Sequence, residues 1–147
     1  NPLYETGKFN TNKQKLSNSS DQELIEAIQQ LTDDGFIEIN DEKVRKKWFS
    51  KDSVHIITPT LTKEALPYLV KQNKNNAEVK TIIYKFNDKK VTLEKSTENV
   101  SVCTVILDKE KTPFYYFGKD PYPNASFITQ KFKLKYNEKT GWKIIKK

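Results

Sequence analysis

From Glu78 onward the apolar period changes from a helical one to about 2 and almost everything that follows reads as strand, which constrains the fold more than any other feature of the chain. Ile82, Tyr84 and Phe86 alternate, Asn87-Asp88 offers a tight turn, and Val91 and Leu93 alternate back, which predicts a hairpin. Val100 to Leu107 is apolar on both parities, as a strand covered on two faces is, and is placed at the centre of a sheet. Phe114 to Phe117 reads as a short aromatic strand, followed by a proline-containing connection from Asp120 to Asn124. Phe132, Leu134 and Tyr136 then alternate with Lys131, Lys133 and Lys135, Asn137 to Gly141 turns the chain, and a last strand carries Trp142, Ile144 and Ile145. One face of that hairpin is expected in the core and the other in water.

Upstream the period is helical. Residues 1–19 are rich in Asn, Lys and Ser with no sustained apolar pattern and read as a linker or N-terminal arm, leaving a single domain over 20–147. Ser20-Asp21-Gln22-Glu23 has the form of a capping box; Leu24, Ile25, Ile28 and Leu31 follow at helical spacing, and Gly35 supplies the stop. After an extended Phe36 to Ile39, Asn40 or Asp41 is placed as the cap of a second short helix, with Val44 and Trp48 on one face and Phe49 beside them. Leu61, Ala65, Leu66, Leu69 and Val70 have helical spacing around Pro67, so a third helix begins at Leu66 or Pro67 or is kinked there, before a polar break from Lys71 to Asn76. Helices first and strands afterwards predict an α+β fold, with N-terminal helices packed on one face of a curved antiparallel sheet.

The 147-residue chain is 35% hydrophobic and 31% charged, sufficient for a core without metal or disulfide, and its single cysteine, Cys103, has no internal partner. A net charge of +7 raises the question of an acidic polymer, yet among 26 basic residues only Arg45 is arginine. Phosphate and groove recognition usually enlists the bidentate guanidinium as well as lysine. The lysines therefore read as a solvated face, and nucleic acid is not expected as a partner. The longest apolar run, around Val105-Ile106-Leu107, falls short of the ~20 residues that cross a bilayer. Asn1 in place of methionine, with no signal peptide after it, reads as the start of a trimmed piece of a longer product.

Groups for catalysis are sparse. His55 is the sole imidazole, set between Val54 and Ile56, with no carboxylates spaced to share a metal and no G-x-S-x-G elbow to complete a triad. Four glycines leave no phosphate-cradling loop. Asp33-Asp34 lacks the spaced ligands of a calcium loop and reads as a polar helix end, while Cys103 reads as a small buried hydrophobe. No cofactor, metal or catalytic residue is expected, and the chain reads as non-enzymatic. Phe114 to Phe117 and Tyr122 stand out instead, because four consecutive aromatics in a strand place two on each face.

With helices leading, an antiparallel sheet following and the ending FKLKYNEKTGWKIIKK, residues 20–147 resemble the nuclear-transport-factor-two-like fold, a cone in which N-terminal helices lie in the concavity of a bent sheet. Within that superfamily the polar N-terminal arm, the lysine and asparagine bias and the missing catalytic dyad look most like the extracytoplasmic domain of VirB-eight-like proteins of Gram-positive conjugative type IV secretion systems. The resemblance implies an anchor upstream in the cell membrane and an extracytoplasmic position. It also implies a channel-scaffolding role with other secretion-channel subunits as partners, and weak self-association as a dimer or trimer. On that reading Trp48, Tyr115, Tyr116 and Tyr122 are the expected contacts, with Lys43, Arg45 and Lys47 as a polar rim. The alternative is a ligand-binding or accessory domain of a cell-wall-associated lipoprotein that uses the cleft between sheet and helices. A cone-fold enzyme would require His55 or a carboxylate deep in that cleft.

Overall fold

The computed structural model describes residues 3–44, 54–95 and 99–146. In chain order these form β1 (Tyr4–Asn10), β2 (Gln14–Ser17), α1 (Gln22–Asp33), β3 (Ile37–Val44), β4 (Val54–Leu61), a 3₁₀ helix (Lys63–Tyr68), β5 (Leu69–Gln72), β6 (Asn76–Lys95), β7 (Val100–Lys111), a 3₁₀ turn (Tyr115–Phe117), β8 (Phe127–Asn137) and β9 (Gly141–Lys146). The fold is α+β but mostly strand, with one α-helix among the described residues where several were expected. The larger sheet has the order β1-β6-β7-β8-β9, with β5 also on β6, and the smaller is β2-β4-β3. Its contacts divide the chain into two compact units, Tyr4–Thr81 with Lys111–Lys119, and Asn1–Leu3 with Ile82–Glu110 and Asp120–Lys147.

In the first unit, α1 lays Ile28 and Leu31 against Leu16 of β2, Ile37 of β3 and Ile57 of β4. The stretch read as a linker or arm holds β1 and β2, because Phe9 supplies a fully buried ring that meets Phe114 and Phe117 edge-on at 5.8 and 5.0 Å. Phe36 and Tyr68 close the same aromatic cluster around Phe114. The capping box does not form: Asp21 stands at the cap position, and its carboxylate accepts the Ser17 N–H at 2.8 Å, closing the turn before the helix. Gly35 does end the helix, at φ +83°.

Three further expectations are corrected here. The second helix is not present over Asp41–Val44, which extend β3: after an irregularity beyond Asn40, Lys43 and Val44 pair with Ile56 and His55. Cross-strand pairing with an apolar β-branched run outweighs the local capping preference of Asn40 and Asp41. The third helix is a six-residue 3₁₀ segment containing Pro67, and β5 follows at once. Phe114 to Phe117 is no strand. The Thr112 carbonyl accepts the Tyr115 N–H at 3.1 Å around Pro113, and the Thr112 hydroxyl donates to the Lys80 carbonyl at 2.7 Å and accepts the Phe114 N–H at 3.1 Å. A proline one residue into a turn, with a threonine ahead of it to bond the backbone, coils the four aromatics instead of extending them.

In the second unit, the hairpin expected over Ile82 to Leu93 is replaced by the single 20-residue strand β6. Asn87 does not turn the chain; its amide donates sideways to Asp108 of β7 at 3.1 Å, and Lys85 pairs with Glu110 at 2.8 Å. β7 sits at the centre of the strand order, as its composition predicts, with Cys103, Val105 and Leu107 buried and the opposite parity half-buried.

Gly7 faces Gly118 across an isolated bridge, and a Cβ added at Gly7 would lie 2.1 Å from the Phe117 carbonyl oxygen. Gly7→Ala is accordingly expected to lower stability by about 2 kcal/mol, read as a reduced urea midpoint.

Candidate functional site

The register of β8 sorts most of its side chains by face, with Gln130 on the apolar side and the exposed Phe127 on the lysine side as exceptions. Ile128, Gln130, Phe132 and Leu134 lie opposite Leu107, Val105, Cys103 and Ser101 of β7, while Lys131, Lys133 and Lys135 lie opposite Thr104, Val102 and Val100. On the other side Leu134 and Tyr136 face Ile144 and Trp142, and Lys135 faces Lys143. Directly opposed residues share a face, so β8–β9 carries an apolar, ring-bearing face and a lysine face. The turn fixes this register. Asn137 Oδ1 accepts the Lys139 N–H at 2.8 Å, the Asn137 carbonyl accepts the Thr140 N–H at 3.2 Å, and Gly141 takes φ +77°. An Asx turn followed by a left-handed glycine is what Asn-Glu-Lys-Thr-Gly encodes.

Burial on the apolar face fades toward the sheet edge. Val105 and Leu107 are buried, Phe132 and Leu134 are half-buried, and Trp142 and Ile144 are 47% and 64% exposed. The expected core face of the hairpin is therefore largely in water. The Tyr136 and Trp142 rings meet at a tilt of 60° with centroids 5.4 Å apart, which stiffens the exposed strip.

The proline-containing connection belongs to the same unit and is pinned from below. Lys109 and Asp120, with side chains 3% and 7% exposed, form a buried ion pair. Lys109 Nζ also donates to the Tyr122 carbonyl at 2.7 Å, and Asp120 Oδ1 accepts the Tyr122 N–H at 3.0 Å. The loop thus presents an exposed Tyr122 from a fixed backbone.

The residues expected to form one interface are distributed over both units and the residues not described. Tyr122 is exposed in the second unit; Tyr116 is exposed and Tyr115 half-buried in the first, where Lys111 Nζ lies 4.5 Å over the Tyr115 ring. Lys43 lies on β3, and Arg45, Lys47 and Trp48 lie outside the described residues. Sequence reasoning missed Tyr136, Trp142 and Ile144 as surface because alternation reports which residues share a face, not whether that face is covered.

A second feature lies in the first unit, where α1 and the smaller sheet enclose a half-open groove of about 180 Å³. Leu16, Ile25, Ile39 and Ile57 give it apolar walls, and Gln29, Thr32, Asp33 and His55 are its polar members. His55 is 1% exposed, and its Nε2 is 2.8 Å from Asn18 Oδ1. Asn18 thus fixes one of the two ring nitrogens and holds the ring in place at the groove wall. Among the described residues no group of three or more His, Cys, Asp or Glu is placed to hold a metal ion, and no helix is long and apolar enough to cross a membrane.

Because the Lys109–Asp120 pair is buried, Lys109→Met or Asp120→Asn alone is expected to cost about 3–5 kcal/mol. The double variant Lys109→Met/Asp120→Leu should lose less than the two single changes summed, a coupling that a double-mutant cycle in urea measures. No family model, curated protein or solved structure matches this chain.

Proposed function

We propose that the chain is a non-enzymatic assembly domain that docks other proteins through the β8–β9 hairpin. The observation that carries this reading is the uncovered apolar strip, with Trp142 and Ile144 standing 47% and 64% exposed on a hairpin whose turn is set by Asn137 and Gly141. Rigid aromatic anchors lose little freedom on docking, and interfaces draw their energy from such residues. In its finer form the proposal is the one implied by the VirB-eight-like resemblance. The domain then has a nuclear-transport-factor-two-like cone, stands on the extracytoplasmic face of the cell membrane below an upstream anchor, and scaffolds a type IV secretion channel by contacts with its subunits and with itself.

The groove beside α1 favours a second reading, the ligand-binding lipoprotein domain, since apolar walls with a few polar groups suit a small amphiphile. Saturable shifts of the Ile25 and Thr32 amide resonances with a short-chain alcohol would support it, and unchanged spectra at millimolar alcohol would remove it.

The leading proposal predicts that a photo-crosslinking residue at Ile144, introduced in the native host, gives discrete adducts, whereas the same residue at exposed Glu26 on α1 gives none. Adducts to secretion-channel subunits would support the finer form. No adduct at Ile144 or at Trp142 would contradict the docking role.

A further inference from the structure

We infer that the outer edge of β9 takes up an extended segment of a partner protein in which acidic and apolar residues alternate, adding it to the sheet as a further strand. The inference deepens the docking role proposed above and rests on it. It combines three observations on one hairpin.

First, β9 ends the strand order of the larger sheet, pairing with β8 on one side only among the described residues. An edge strand directs half of its N–H and C=O groups outward, and these are the groups that β-augmentation uses. Second, one face concentrates positive charge: Lys131, Lys133 and Lys135 project from β8, and Lys143 of β9 stands directly opposite Lys135. The ion pairs found among the described residues, Lys85–Glu110 and Lys109–Asp120, involve none of these four lysines. Like charges directly opposed across strands are destabilising, so this face is held in a state that an anionic partner would relieve. Third, the reverse face carries Tyr136, Trp142 and Ile144, all exposed.

The placement of charge and rings on opposite faces selects among occupants. A lipid surface binds a segment whose basic residues flank an apolar face turned toward the bilayer, and a hairpin lying on its ring face would turn these lysines away from the headgroups. Single-stranded nucleic acid needs stacking rings and cations along one groove, and here the paired rings of Tyr136 and Trp142 are separated from the lysines by the sheet itself, with Phe127 alone on the lysine face at the far end of β8. A strand added at the edge is different. Its own side chains alternate between the two faces, so acidic residues join the lysine face while apolar residues join Trp142 and Ile144. A second copy of this chain meets the edge badly, because pairing β9 with β9 brings Lys143 toward the lysines of the other copy; lysines on edge strands commonly guard against such pairing. The charge therefore specifies a partner of opposite sign, not a symmetric dimer through this edge.

Calorimetry and amide NMR of the 147-residue protein with three synthetic seven-residue peptides test this. The first alternates Glu and Val, the second has the same composition with the glutamates contiguous, and the third is the first one N-methylated at every second residue. The expected result is binding of the alternating peptide, with shifts along Trp142 to Ile144, loss of affinity by at least tenfold for the other two peptides, and a further loss of about tenfold on Lys143→Glu. A folded Lys143→Glu spectrum and a urea midpoint no lower than that of the parent, as expected when the like-charged pair with Lys135 becomes an opposite-charged one, would show that the variant acts on binding. Equal affinity for the alternating and contiguous peptides, or for anionic vesicles of phosphatidylglycerol, would overturn the strand-addition mode. If no peptide binds while the photo-crosslinker at Ile144 still captures a partner, this inference fails and the docking role stands. If neither is seen, both fail.

Discussion

The cross-strand register of β8 and β9 is the constraint on which the functional account depends. Once Asn137 and Gly141 set the turn, Tyr136 must face Trp142, Lys135 must face Lys143 and Leu134 must face Ile144. A shift by one residue would interleave lysines and rings on both faces and abolish the sorting. The turn is local and the register it sets runs to the Leu134–Ile144 pair, beyond which the pairing shifts at Lys133, so a short sequence of five residues determines the chemistry of two surfaces over that stretch.

Around that hairpin, polar interactions act as fasteners. The buried Lys109–Asp120 pair fixes the loop that carries Tyr122, and Asn87 and Lys85 hold β6 in one long strand against Asp108 and Glu110 of β7. In the other unit the Thr112 hydroxyl coils the aromatic segment so that Phe114 enters the cluster with Phe9, Phe36 and Tyr68. In each case one side chain with a long-range partner decides between two locally acceptable conformations.

That pattern also explains what was legible in the sequence. The helix from Gln22, the strands after residue 76, the central place of β7 and the final hairpin follow from periodicity, which is a local property. The failures share a cause. Asp41 to Val44, Asn87-Asp88 and Phe114 to Phe117 all have local propensities for a cap, a turn and a strand, and each is overruled by a partner distant in sequence: β4, Asp108 and the Lys80 carbonyl. Phe9 was hidden for the complementary reason, since one buried ring in an otherwise polar strand leaves no periodic signal. The candidate site was half legible. Alternation named which residues share the ring face, but the exposure of that face is set by what the rest of the chain leaves uncovered.

On the proposed docking role, the outer end of the apolar face, exposed at Trp142 and Ile144, is surface kept for a partner and not part of the core. Equilibrium unfolding of Trp142→Ser and Ile144→Ser, set against Leu107→Ala at the buried end of the same face, measures this most directly. The account predicts that Leu107→Ala costs about 2–5 kcal/mol while each hairpin variant costs less than about 1 kcal/mol. Hairpin losses as large as that of Leu107→Ala would contradict it, placing these side chains in the core and leaving no uncovered strip for a partner to meet.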